Sequence, residues 1–227
     1  MPESSLYFKQ MQTGPMQNFA YLIGDPIKRE AVVVDAAWDI SGIVRLAEQD
    51  GYTITKALIT HYHQDHLGGD FSGYHIEGAA ELLSQVKAKV YIHKAEAPFL
   101  NRLVGLSGSD IVQVASGDTT NVGEVSVTFI HTPGHTPGSQ CFLVENRLVA
   151  GDTLFINSCG RVDLPGSSPQ AMYHSLQTLG KLADETVLYP GHNYADLPYA
   201  PLGDQKRHNM YLRLSTRSLE EFIDAMG

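Results

Sequence analysis

Cysteine is scarce: Cys141 and Cys159 are the only two in 227 residues, which excludes a disulfide framework and a cysteine-rich zinc module. Positive charge is in short supply as well. The 16 Lys and Arg against 25 Asp and Glu leave a net charge of −9 and a pI near 5.5. That balance argues against a nucleic-acid groove or an anionic membrane surface, since both need clustered cations. No stretch approaches the ~20 apolar residues of a membrane span. Met1-Pro2-Glu3-Ser4-Ser5-Leu6 has no basic segment leading into an apolar one. Low-complexity linkers and repeats of solenoid period are missing too. These absences lead to the expectation of a single domain over residues 1–227, in a reducing cytoplasm, acting on a small molecule with no nucleic-acid or membrane partner.

Histidine, by contrast, is concentrated. His61, His63, Asp65 and His66 fall within six residues, directly after the apolar run Ala57-Leu58-Ile59. Residues two apart on extended chain project to the same side, so His61 and His63 can offer nitrogens to one ion. Asp65 and His66 come just past the strand end, where a turn or first helical turn re-aims them toward a neighbouring position. Neutral imidazole suits zinc or iron, and the added carboxylate disfavours a thiolate-type structural zinc site.

Around this cluster the chain reads as alternating strands and helices. Strands are expected at Leu6 to Met11, Asn18 to Ile23 and Ala31 to Asp35, then a helix from Ile40 to Ala47 with apolar residues at helical spacing. The strand Ile54 to Thr60 delivers the histidines. A helix from Glu77 to Val86, a strand from Lys89 to His93 and an irregular or helical stretch from Ala97 to Ser109 follow. Strands are next expected at Ile111 to Val114, Val125 to Ile130, Ser139 to Val144 and Arg147 to Ala150, the last two a hairpin through Glu145-Asn146. A helix from Pro169 to Leu182, a strand from Thr186 to Tyr189 and a helix from Ser218 to Met226 complete the chain.

Three of these later strands end in further metal-type side chains. His135 sits between two Pro-Gly pairs, Asp152 follows Gly151, and His192 follows Pro190-Gly191. Strand ends on one edge of a layered sandwich converge, so a shared site is expected. His75 and His93 lie off any ligand spacing and read as structural or peripheral, with His75 the better placed of the two to line a pocket mouth. His131 reads as a strand-end residue with a supporting role open to it, and His174 and His208 as surface positions.

The segments HYHQDH (61–66), GHTPGS (134–139), GDTLF (151–155) and GHN (191–193) resemble the metallo-β-lactamase superfamily, over about residues 18 to 193. The resemblance implies an α+β fold, a four-layer αββα sandwich. It implies that His61, His63 and His135 bind one divalent metal and Asp65, His66 and His192 a second, with Asp152 bridging. Zinc is the first expectation and iron the alternative. The implied chemistry is hydrolysis by a metal-bound hydroxide that Asp65 holds and orients.

The run Cys159-Gly160-Arg161 resembles a segment shared by hydroxyacylglutathione hydrolases (glyoxalase II) and persulfide dioxygenases, both acting on glutathione-linked sulfur. Arg161 could meet a substrate carboxylate; it could equally be a turn arginine paired with Asp163. Only 35 residues follow His192, where glyoxalase II carries a helical domain. The short tail and the Asp after CGR are more like the dioxygenases, which would use one iron on His61, His135 and Asp152. The readings therefore run from a thioester or related ester hydrolase, through an iron dioxygenase acting on glutathione persulfide, to a lactonase. A metal-binding scaffold is the non-enzyme alternative, and a homodimer is the assembly the resemblance suggests.

Overall fold

A computed structural model describes residues 6–226; residues 1–5, on which the expected lack of an export signal mostly rests, lie outside the described residues. The N-terminal half contains β1 (Tyr7–Thr13), β2 (Asn18–Asp25), β3 (Glu30–Val34), α1 (Ile40–Gln49), β4 (Thr53–Leu58), α2 (Gln64–Leu67), β5 (Gly69–Phe71), β6 (Tyr74–Ile76), α3 (Ala79–Gln85), β7 (Lys89–His93), α4 (Ala97–Val104) and β8 (Ile111–Val114). The C-terminal half contains β9 (Thr119–Val122), β10 (Val125–His131), β11 (Gln140–Val144), β12 (Arg147–Gly151), β13 (Leu154–Phe155), β14 (Ser158–Cys159), α5 (Pro169–Leu179), β15 (Val187–Pro190), β16 (Ala200–Pro201), α6 (Leu202–His208), α7 (Met210–Leu214) and α8 (Leu219–Met226).

Each half makes one six-stranded sheet, beside a two-stranded one, β5-β6 in the first and β13-β14 in the second. The first six-stranded sheet has the order β1-β2-β3-β4-β7-β8, an antiparallel meander continued by parallel strands; the second has the order β16-β15-β12-β11-β10-β9. Period-two alternation fixes which face each strand gives to which layer. In β2, Ala20 and Leu22 pack with α1, α3 and α4, while Phe19, Tyr21 and Ile23 point between the sheets. Phe129, Phe142, Val144 and Val149 meet them there from the second sheet. Leu148, Ala150 and Leu188 face the other way, onto α5, α7 and α8. The result is the α/β/β/α layering expected from the sequence. Each fully buried aliphatic or aromatic side chain contributes about 1.5–3 kcal/mol through area removed from water.

The strand carrying the histidine cluster ends at Leu58 rather than Thr60, because the backbone beyond Leu58 is turned away by bonds to other elements. Asp35 accepts from the Thr60 N–H at 2.8 Å, and Ile59 N donates to Tyr91 O at 2.9 Å. Some short elements had no sequence signal. Strand β9 is polar (Thr-Thr-Asn-Val), and β5 and β6 are three residues each, joined through Ser72 and Gly73. Helices α6 and α7 split a single helical region at Asn209, whose side chain accepts from Tyr211 N and Leu212 N and donates to Phe155 O and Ser158 O. Among the described residues no helix is long and apolar enough to cross a membrane.

Both thiols are core groups. Cys141 is fully buried, and burial pushes it up to about 11; Cys159 is 7% exposed and pushed up to about 12 for the same reason. Cys159 therefore packs rather than responds to oxidants. A disulfide reagent is expected to titrate neither thiol in native protein and both after denaturation. Rapid native release of the chromophore would contradict this.

Candidate metal centre

The seven side chains singled out in the sequence meet at one edge of the sandwich. His61, His63, Asp65 and His66 come from the loop after β4 and from α2; His135 comes from the loop after β10, Asp152 from the end of β12, and His192 from the turn after β15. His61 Nε2 lies 3.1 Å from His63 Nδ1, which lies 3.0 Å from His135 Nε2. On the other side His66 Nε2 is 3.1 Å from His192 Nε2, and each is 3.4 Å from Asp65 Oδ2. Asp152 stands between the sets: Oδ2 is 3.6 Å from His135 Nε2 and 3.3 Å from His192 Nε2, and Oδ1 is 3.3 Å from His66 Nε2.

The outward nitrogens explain why these atoms face one another. His135 Nδ1 donates to Arg161 O at 2.8 Å and His192 Nδ1 to Met16 O at 2.9 Å; a carbonyl can only accept, so each Nδ1 carries the proton. His66 Nδ1 donates to Asp35 Oδ2 at 3.0 Å. Thr60 gives its hydroxyl proton to Asp35 at 2.6 Å and so accepts from His61 Nδ1 at 2.9 Å. The inward Nε2 of all four is thus left as a lone pair, with His63 contributing Nδ1 instead. Lone pairs turned toward lone pairs are repulsive unless a cation sits among them. Donor atoms on a tetrahedral zinc at about 2.0–2.1 Å are spaced by roughly 3.3 Å, which the observed separations match.

Charge points the same way. Burial, with the neighbouring His66 and His63, holds His61 well below the usual imidazole range, and burial with His135 pushes His63 down to about 4. Burial would also lower His66, yet the carboxylates of Asp65, Asp152 and Asp35 outweigh it and hold His66 well above that range, so that without a cation the site draws a proton onto His66 Nε2, the atom a metal would take in its place. Burial would raise Asp152, but His66 and His192 hold it well below the carboxylate range. Asp152 Oδ1 is buried without a hydrogen bond. An ionised carboxylate with an orphaned oxygen, ringed by imidazole lone pairs, is the donor set of a cation site. The groups His61/His63/His135, His61/His66/Asp152 and Asp65/His66/His192 each could hold an ion.

Three supporting residues were not singled out in the sequence. Asp35, at φ 49°, ends β3 and holds both His66 and, through Thr60, His61. Its signal was available: a carboxylate closing the buried run Ala31 to Val34. Asn18 donates to Asp65 Oδ2 at 2.9 Å and is itself oriented by the Trp38 indole N–H at 3.0 Å. Glu96 is fully buried; it accepts from Tyr62 N at 2.7 Å, Thr136 Oγ1 at 2.9 Å and Gly138 N at 2.6 Å, joining the loop of His61 and His63 to that of His135. Burial pushes its carboxyl up and these donors pull it partly back.

A cavity of about 470 Å³ opens beside the cluster, lined by Met16, Tyr62, Phe71, Leu164, Pro165 and Tyr194 together with His63, Asp65, Asp152 and Arg161. His75 does not line it: exposed, it bridges Asp70 and Glu81, and Phe71 from the same hairpin takes the wall instead. Arg161 reaches the cavity, but its Nε and Nη2 each lie 2.6 Å from an oxygen of Asp163, which that pairing pulls down to about 2. His131 touches no metal-type side chain; it donates to Pro137 O at 3.0 Å and stacks on the buried His93.

Comparison with known proteins agrees with this geometry. The metallo-beta-lactamase superfamily profile matches residues 13–192. The chain belongs to that superfamily. Within it, the chain is 36% identical to a hydroxyacylglutathione hydrolase of Rhodopseudomonas palustris (strain BisB5), covering 92% of this chain and 88% of that protein. Against proteins of that name from Maricaulis maris (strain MCS10) and Bradyrhizobium sp. (strain ORS 278) the match takes in 79% and 78% of this chain and spans 63% of theirs. It is 29% identical to the probable polyketide biosynthesis zinc-dependent hydrolase BaeB of Bacillus velezensis, covering 91% of this chain and 86% of that one. Among solved structures, ETHE1 from Myxococcus xanthus superposes with a TM-score of 0.82 at 30% identity, over 97% of this chain and 89% of that one.

Proposed function

We propose that this superfamily member is a metal-dependent hydrolase of a thioester or related ester. His61, His63 and His135 would hold one divalent ion, zinc before iron, Asp65, His66 and His192 would hold a second, and Asp152 could serve both. The observation that supports this most is the set of imidazoles whose outer nitrogens are spoken for and whose inner nitrogens converge on Asp152. A bound ion of this kind brings its water toward neutrality in pKa and stabilises charge developing on an acyl oxygen.

The chain's own residues supply the rest. Asp65, fixed by Asn18 and 14% exposed in its side chain, faces the cavity and takes the proton of the attacking water. Asp35, Arg161 O and Met16 O hold the imidazole rings in one tautomer and orientation, so the lone pairs need no reorganisation when the ions bind. Tyr62, Phe71 and Tyr194 shield the reacting bond from bulk water. Burial, with Asp152 and Asp65, pushes the Tyr194 hydroxyl up to about 12, so it stays a neutral donor at the rim.

A second reading, a dioxygenase with one iron on His61, His135 and Asp152, is supported by the likeness to ETHE1 and by the closeness of His135 to both other residues, its ring 4.9 Å from that of His61 and its Nε2 3.6 Å from Asp152 Oδ2. Protein purified without added metal decides between them. Zinc at about two per chain with turnover of S-lactoylglutathione or a simple acyl thioester supports the hydrolase. One iron per chain, oxygen uptake on glutathione persulfide and no thioester cleavage would overturn it.

A further inference from the structure

The cavity wall away from the metal edge is apolar. Met16, Tyr62, Phe71, Leu164, Pro165 and Tyr194 form it, and Arg161 is its one cationic residue. Arg161 is neutralised though not used up: Nε and Nη2 each lie 2.6 Å from an oxygen of Asp163, so the pair brings no net charge while the other N–H groups of the guanidinium stay exposed. The pair is exposed, and in isolation such a bridge is weak. An incoming carboxylate that displaced Asp163 would still face that residue's charge close by. The other charged side chains lining the cavity, Asp65 and Asp152, belong to the metal edge, where bound ions would offset their charge. Away from that edge the wall offers a carboxylate no net positive charge, only neutral donors such as the Tyr194 hydroxyl.

The rim extends the same chemistry. Large hydrophobic side chains exposed on the described surface include Met16, Phe71 and Tyr194 at the cavity itself. Tyr74, also exposed, pairs across the hairpin with Phe71. Exposed apolar side chains gathered around a polar centre mark a ligand groove rather than ordinary surface. Tyr194 is held in place there, its ring stacked on His192 at 4.6 Å and 10°.

We infer that the group flanking the scissile bond is an uncharged alkyl or aryl chain, and that the preferred substrates are apolar acyl thioesters rather than those of a carboxylate-bearing thiol such as glutathione. This rests on the hydrolase reading for the bond cleaved, and on the cavity alone for the chain bound. Each methylene moved from water to such a wall strengthens binding about threefold to fourfold. Asp163 is the specificity determinant, since it neutralises the one side chain that could recruit an acid.

Non-hydrolysable thioethers test this by calorimetry on the metal-loaded protein. Affinity should rise about threefold per methylene from S-butyl- through S-hexyl- to S-octyl-N-acetylcysteamine, and S-hexylglutathione should bind no tighter than its N-acetylcysteamine counterpart. Phe71→Ala and Tyr194→Ala should flatten the chain-length series. Asp163→Asn should strengthen S-hexylglutathione about tenfold and leave the neutral ligand unchanged. A flat series in the unaltered protein, or S-hexylglutathione binding tenfold tighter there, overturns the inference. A steep series with no thioester turnover would instead overturn only the hydrolase reading.

Discussion

Replacing Asp152 with Asn is expected to lower kcat/KM by about 10³-fold, roughly 4 kcal/mol of transition-state stabilisation, and to reduce bound metal together with it. The reason is positional. Asp152 is the residue within reach of both histidine sets, 3.6 Å from His135 Nε2 and 3.3 Å from His192 Nε2 through one oxygen, and its other oxygen approaches His66. Asparagine has nearly the same shape but presents an amide to the surrounding nitrogens and removes the negative charge that would balance a cation held there. Gly191→Ala makes the same point without touching a donor atom, because a Cβ there would sit 2.2 Å from Asp152 Oδ1 and 2.8 Å from the Gly151 carbonyl carbon. Elemental analysis beside a thioester assay reads both variants. Full metal content and unchanged turnover in Asp152→Asn would remove it from the centre.

Glu96→Gln is expected to weaken metal binding at His61, His63 and His135 by about 10–100-fold while sparing Asp65, His66 and His192. Both oxygens of Glu96 face donors: the Tyr62 N–H on one side, the Thr136 hydroxyl and Gly138 N–H on the other. Whichever way glutamine is turned, its NH₂ meets a donor, leaving a buried group unpaired at a cost of about 1–3 kcal/mol. A melting-temperature loss of roughly 2–4 °C per kcal/mol follows. A chelator titration that is two-phased in the variant, one phase weakened and one as before, distinguishes loop positioning from general destabilisation. Equal weakening of both phases would count against the positioning role.

The centre was legible in the sequence because each of its side chains sits just beyond a strand end and inside a recognisable run, so local pattern and final position coincide. The layering was legible only through the resemblance to the superfamily: Phe19 to Ile23 and the run of β3 are apolar without a break, which says that both faces are buried but not which layer each meets. What supports the centre was not. Glu96 lies 34 residues from Tyr62 and 42 from Gly138, and nothing local distinguishes it from a solvated helix-start acid. Met16 and Arg161 act through backbone carbonyls, which no side-chain pattern can announce. Arg161 shows the limit most clearly, since its two sequence readings differ only in whether Asp163 turns toward it, and the structure has it turned. His75 is peripheral, as its spacing suggests, but the β5–β6 hairpin, too short to read, turns Phe71 rather than the histidine onto the cavity.

The division of donors between the two halves of the chain has a mechanical consequence. His61, His63, Asp65 and His66 ride on the first sheet's edge, whereas His135, Asp152 and His192 ride on the second's. A cation seated among them acts as a rivet through both leaves of the sandwich. Prising the leaves apart then requires coordination to break first, so the metal-loaded protein should resist forced separation at this edge and yield at the opposite one.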